Sequence, residues 1–220
     1  MPRPSSGWGK IRLQPRDRPG HATDESFQNP DRIAMNSPLV DPAVELARAP
    51  DFDGDQFRTA LGQFATGVTI ITTRALGSDG TPQLLGFTAN SFNSVSLDPP
   101  LVLWSLARSA SSLAAFLDVA HYAINVLASD QIDLSRRFGS RTPKSGVVDR
   151  FDSIAWRKGS RGAPILDGCC AWFECFNRSR YEEGDHVIFV GEVERCGFEA
   201  REPLIYQSGG YHMTQPHPDR

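Results

Sequence analysis

Residues 86–100 run Gly-Phe-Thr-Ala-Asn-Ser-Phe-Asn-Ser-Val-Ser-Leu-Asp-Pro-Pro, which puts hydroxyls, amides and small side chains where a surface segment ordinarily carries charge. Thr88, Asn90, Ser91, Ser94 and Ser96 offer neutral donors and acceptors that shed their water at little cost, while Gly86 and Ala89 let backbone amides approach a ligand edge. Such a run suits a flat polar ligand, and it equally suits a tight polar loop with no ligand. A second group, Arg108-Ser109-Ala110-Ser111-Ser112, suits a phosphate. Free N–H groups and the positive dipole end of a starting helix attract an anion, to which Arg108 adds charge and the serines add donors. The plainer reading is a helix capped by Ser109 or Ser112 beside a solvated arginine. A third candidate is His186 in Gly184-Asp185-His186, which on its own reads as a surface-turn histidine with Asp185 and Glu183 solvating the turn.

Other chemistry loses ground by comparison. There is no Walker-type phosphate loop, no GxGxxG following a strand, no HExxH and no GxSxG elbow, and the five histidines do not fall at ligand spacing. With 23 basic and 26 acidic side chains the formal net charge is -3, so no positive field invites nucleic acid. No apolar run approaches the roughly 20 residues of a membrane helix, and the N-terminus lacks a secretory core, so a cytoplasmic protein is expected. Cys169, Cys170, Cys175 and Cys196 form no CxxC pair and are expected to be reduced thiols on buried strands.

The elements that must position these groups follow from periodicity. Residues 1–34 hold Pro2, Pro4, Pro15, Pro19 and Pro30 among scattered arginines, a composition that cannot pack a core. Residues 1–50 are therefore expected to be a disordered or weakly ordered extension, with 1–34 arising from an upstream start codon and Met35 as the ordinary start. Residues 51–215 are expected to form the domain. Phe57, Leu61 and Phe64 recur at helical spacing behind Asp53 or Asp55 as cap, which predicts a helix over 53–65. The β-branched run 68–73, a turn at 77–80 and a return strand from about Gln83 predict a hairpin. Further strands are expected over 101–106, 122–127, 171–180, 187–196 and near 204–206. Helices are expected from Ser109 to Ser112 onward and around Ile132, Leu134 and Phe138, followed by a polar, mobile segment over 139–149. Many short strands without βαβ alternation point to a mainly β fold, a closed antiparallel barrel with a few flanking helices.

Taken in order, several segments resemble the flavin reductase family with the FMN-binding split β-barrel, the reductase component of two-component flavin-dependent monooxygenases. They are 64–73, 86–96, 98–102, Asn125-Val126-Leu127, Gln131 with Leu134 and Phe138, Gly184-Asp185-His186 and Gly210-Tyr211. The resemblance covers about residues 57–213. It implies a homodimer with a Greek-key-like split barrel that binds FMN or FAD and takes hydride from NADH or NADPH. It sets the isoalloxazine on Phe87, Thr88, Ala89, Asn90 and Ser91, and runs the ribityl and phosphate groups toward Ser94, Ser105, Arg108, Ser109 and Ser112. Phe138 joins the cofactor-binding set, His186 becomes the candidate for positioning the nicotinamide, and Tyr211 contributes to the same wall. The implied activity is an NAD(P)H:flavin oxidoreductase that supplies reduced flavin to a transient monooxygenase partner. The alternatives are a flavoprotein reducing another acceptor and a non-catalytic flavin-binding protein. The basic segment 157–161 lies outside the family pattern and reads either as a contact for the 2′-phosphate of NADPH or as a solvated loop.

Overall fold

A computed structural model describes residues 49–77, 79–140 and 149–219. The expectations for the extension before residue 49 and for most of segment 139–149 lie outside the described residues. The first element, α1 (Gly54–Gly62), starts where its cap chemistry dictates. Asp53 Oδ1 accepts the N–H groups of Asp55 and Gln56 at 2.9 and 2.8 Å, and Gln56 Oε1 accepts the Asp53 N–H at 2.9 Å, a reciprocal capping box. No residue of α1 is buried, and Phe57, Leu61 and the following Phe64 all stand exposed.

The strands are β1 (Thr66–Gly67), β2 (Thr69–Leu76), β3 (Pro82–Ala89), β4 (Asn93–Leu97), β5 (Pro100–Ala107), β6 (His121–Val126), β7 (Trp156–Lys158), β8 (Pro164–Leu166), β9 (Ala171–Glu183), β10 (His186–Phe198), β11 (Ile205–Gln207) and β12 (Gly210–His212). Two more helices, α2 (Leu113–Asp118) and α3 (Ile132–Gly139), follow β5 and β6. The main sheet has seven strands in the order β3-β2-β6-β9-β10-β5-β4, every pair antiparallel. Its two edges, β3 and β4, are joined by residues 90–92 alone. Four virtual bonds span at most about 14 Å, whereas the edges of a flat seven-stranded sheet lie about 29 Å apart. The sheet therefore curls until the end of β3 lies beside the start of β4, and the mainly β, antiparallel expectation holds.

Inside the curl, Ile71, Trp104, Phe116, Tyr122, Ile124 and Phe189 form one core, with the Trp104 and Phe189 rings stacked at 4.2 Å. Gly191 on β10 has no room for a Cβ against the Tyr122 hydroxyl. On the outer face of β2, Val68, Ile70, Leu127, Phe138, Phe151 and Leu204 form a second core beneath α3. Burial on both faces explains why β2 is β-branched without alternation from Thr69 to Thr73. Its buried threonine hydroxyls are satisfied, as in the bond from Thr69 Oγ1 to the Ala89 carbonyl at 2.8 Å.

Three expectations need correction. Residues 86–96 are not one loop, because Phe87 and Ala89 face the inner core while Gly86 and Thr88 face outward, a period of two that belongs to a strand. The loop shrinks to residues 90–92. Ser112 stands at the start of α2 but makes no capping bond, since its φ of -86° and ψ of -4° are helical rather than extended and do not aim its hydroxyl at the next amides. Of the cysteines only Cys175 is a buried strand thiol. Cys169 and Cys170 precede β9, and Cys196 is exposed on β10. Burial pushes the Cys169 thiol up to about 12.

Candidate functional site

The outward side chains at the end of β3 meet α3 because Gly86 makes room for it. A Cβ on Gly86 would stand 2.7 Å from Phe138 Cε1, so α3 can lie flat on β3 only with glycine there. Thr88 Oγ1 then donates to the Ser135 carbonyl at 2.7 Å, and Ser135 Oγ shares a 2.9 Å hydrogen bond with the Tyr211 hydroxyl. β12 carries Tyr211 opposite Tyr206 of β11, their rings 5.5 Å apart, and the Arg136 guanidinium lies 5.8 Å from the Tyr211 ring. These groups enclose a cavity of about 410 Å³ lined among others by Val68, Thr88, Asn90, Arg136, Tyr206 and Tyr211. Among the described residues its lining is small and polar at Thr88, Asn90, Ser135 and Ser140, aromatic at Tyr206 and Tyr211, and free of carboxylates.

Ser91 and Ser105 meet beside this cavity, at the corner where β3 turns into β4. Ser91 Oγ donates to the Ser105 carbonyl at 3.2 Å and accepts the Ser105 N–H at 3.0 Å. At the end of β5 Arg108 forms a 2.6 Å ion pair with Glu182, and its N–H donates to the Asp185 carbonyl at 2.8 Å. His186 pairs in register with Ala107, and its Nδ1 lies 2.7 Å from Asp185 Oδ1. That hydrogen bond, with the imidazole's charge behind it, holds the Asp185 carboxyl below the usual carboxylate range. Arg108, Asp185 and His186 thus form one cluster. Ser109 and Ser94 are exposed. Ser112, with Ser111, lines a different cavity of about 500 Å³ that follows β3 back from Gly86 to Pro82 and includes Arg150 and Phe151. Arg150 Nη1 donates to the Gly86 carbonyl at 3.1 Å, and burial lowers its pKa.

The structure thus brings Thr88, Asn90 and Tyr211 together, pairs Ser91 with Ser105, and joins Arg108 to His186. Among the described residues, His186 does not border the cavity that Tyr211 lines. The side chains of Phe87 and Ala89 belong to the inner core, leaving their backbone to any ligand, and Phe138 is fully enclosed in the second core. Ser135, Arg136, Tyr206 and Arg150 were not foreseen from the sequence. The one available signal was the polar face of α3, where Asp133, Arg136 and Arg137 recur opposite Leu134 and Phe138. Among the described residues no group of three His, Cys, Asp or Glu is placed to hold a metal.

Residues 61–215 match the family described as flavin reductase like domain. The chain is 44% identical over 155 residues to the FMN reductase (NADH) SmoA of Agrobacterium fabrum, covering 70% of this chain and 83% of that protein. It is also 44% identical over 156 residues to the reductase component of flavin-dependent trigonelline monooxygenase of Acinetobacter baylyi, covering 71% of this chain and 47% of that protein. It spans about half the length of that relative, and likewise 49% of a probable flavin reductase of Rhizobium meliloti. Among solved structures it resembles the Streptomyces globisporus NADH:FAD oxidoreductase SgcE6 in complex with NAD and FAD fragments. The TM-score is 0.68 at 35% identity, covering 79% of this chain and 99% of that one.

Proposed function

The chain belongs to the flavin reductase-like domain family, and from that premise we propose that it is an NAD(P)H-dependent flavin reductase that hands reduced flavin to a separate monooxygenase. The observation that carries the proposal is the cavity formed by Thr88, Asn90, Tyr206 and Tyr211, whose volume of about 410 Å³ is that of a small-molecule site. Its small-residue strand and aromatic side chains suit a flat ring, and the exposed Asn90 amide is available to bond the ring edge. A flavin bound there supplies a two-electron acceptor for hydride from a nicotinamide.

The chain's own task is then orientation. Backbone amides at residues 87–91 hold the ring edge, backed by Phe138 and by the side chains of Phe87 and Ala89 in the cores. Ser94, Ser105, Arg108, Ser109 and Ser112 are assigned to the ribityl and phosphate groups, and His186 to the nicotinamide. The Ser135–Tyr211 pair fixes one wall. Hydride transfer needs two rings held in contact rather than a strong acid or base, which agrees with a cavity whose described lining has no carboxylate. Both FMN and FAD fit this assignment, as do NADH and NADPH, and the names of the Agrobacterium and Streptomyces proteins favour NADH as donor. The monooxygenase partner is inferred from the Acinetobacter relative. A homodimer is inferred from the exposed Phe57, Leu61 and Phe64 together with Val95 and Leu97 on edge strand β4. No described helix is long and apolar enough to cross a membrane. A cytoplasmic location is part of this proposal, in keeping with the nicotinamide donor assigned to the site.

The test is anaerobic mixing of catalytic amounts of protein with NADH or NADPH and excess FMN or FAD, following the flavin band near roughly 450 nm. Rapid bleaching is expected. Flavin that binds without being bleached by either donor would overturn the reductase assignment.

A further inference from the structure

The basic segment 157–161 is not beside the cavity assigned to the flavin. Val68 borders that cavity, while Arg74, Ala75 and Leu76, at the other end of β2, border another of about 590 Å³. Seven residues of extended chain separate Val68 from Ala75, about 23 Å. Arg161 and His121 line this second cavity together with Arg74, and its apolar lining includes Leu76, Pro82 and Val119.

The arginine-bearing turn is rigidly built. Glu174, buried on β9, accepts both the N–H and the hydroxyl of Ser160, at 2.6 and 2.9 Å, and Gly159 has no room for a Cβ against that carboxylate. The Gly159 N–H closes the turn on the Ala163 carbonyl at 2.9 Å, and Gly162 has a φ of +93°. Arg161 is further aligned by Glu194, which accepts from its Nε and Nη2 at 3.2 and 3.3 Å and lies 3.6 Å from His121 Nε2. That leaves Arg161 donors to spare. The Arg74 side chain has no hydrogen bond or ion pair among the described residues. A Cβ on Gly162 would lie 4.0 Å from Arg74 Cδ and 3.7 Å from Lys158 Cε, so Lys158 stands beside Arg74. Against these cations the cavity sets Asp118, while Glu194 is engaged with Arg161.

We propose that the cavity between Arg74, His121 and Arg161 is a second binding site, for a small amphipathic anion. Arg74 and Arg161 take a phosphate or carboxylate, and Leu76, Pro82 and Val119 take an apolar body. An unpaired arginine beside an aligned one offers charge-assisted hydrogen bonds at no cost in broken native pairs. The exposed Leu76 side chain at the rim gives the apolar half of the ligand something to cover. The site shares no lining residue with the cavity of Thr88, Asn90 and Tyr211, it meets the Ser112 cavity at Pro82 and Ala115, and the proposal holds whether or not flavin binds.

Calorimetric titration of the full chain with phenyl phosphate and with benzoate tests it, with inorganic phosphate and benzyl alcohol as the two halves of the ligand. At least one of the amphipathic anions is expected to bind more tightly than both controls, and the tighter of the two identifies the anionic group. Arg74→Ala and Arg161→Ala should each weaken that binding about tenfold, with Arg74→Lys retaining most of it, and near-UV circular dichroism checks that each variant is folded. Failure of both anions to bind, equal binding of benzyl alcohol or inorganic phosphate, full affinity in the folded alanine variants, or displacement of the anion by FMN would each overturn the site.

Discussion

The Ser91 hydroxyl gives to and takes from the Ser105 backbone, at 3.2 and 3.0 Å, just where the β4–β5 ladder has run out at the pair Asn93↔Leu103. A side chain thus supplies two hydrogen bonds that a strand would otherwise make. Ser91→Ala removes both and leaves a part-buried N–H and carbonyl without partners, which costs about 1–3 kcal/mol. Urea unfolding is expected to show that loss, and a change under 0.5 kcal/mol would mean that water replaces the hydroxyl. His186 is held differently. Asp185 is the only hydrogen-bond partner of its ring among the described residues, and the ring is half exposed. If it orders the nicotinamide, His186→Ala raises KM for NADH or slows hydride transfer while flavin affinity stays near wild type. Stopped-flow reduction checks this, and unchanged kinetics would remove His186 from the site.

At the scale of elements, local chemistry was legible wherever one residue decides the matter. Asp53 capped α1 as its type demands, and the β-branched run became β2. Reading 86–96 as a loop failed because its hydroxyl content hid the alternation of Phe87 and Ala89 against Gly86 and Thr88. Polar residues on the outer face of an edge strand look like loop residues in composition, and only period separates the two. The second cavity wall was illegible for another reason, since Tyr211, paired with Tyr206, meets Ser135 across 76 residues of sequence. α1 raises the opposite question, being a helix with a legible apolar face and nothing among the described residues to bury it. Leu61→Asp should therefore leave the protomer's fold intact, with a change within about 0.5 kcal/mol, while shifting a homodimer toward monomer in light scattering. A dimer unaffected by Leu61→Asp and Phe57→Asp would place the interface elsewhere, on β4.

Over the whole molecule, one short corner closes the sheet and also carries the polar groups assigned to the flavin. Residues 90–92 join the two edge strands, so whatever fixes the corner fixes the curvature of the sheet and the mouth of the cavity together. Two readings of that closure differ in energy. If the corner is a mere tether, lengthening it by two residues costs only loop entropy, about 0.5 kcal/mol. If closure depends on Ser91 sitting in register with Ser105, the same insertion separates the pair and costs about 1–3 kcal/mol more. Inserting Gly-Gly between Asn90 and Ser91 tells them apart, with the same insertion between Asp79 and Gly80 as control, since that hairpin tip is exposed and borders none of the three cavities. The structure calls for the second reading. The corner insertion should lower stability by well over the control and weaken flavin binding with it, whereas the tip insertion should leave both near wild type. Equal small losses from the two insertions would show that the curl is held by the inner core around Trp104 and Phe189, with the corner following passively.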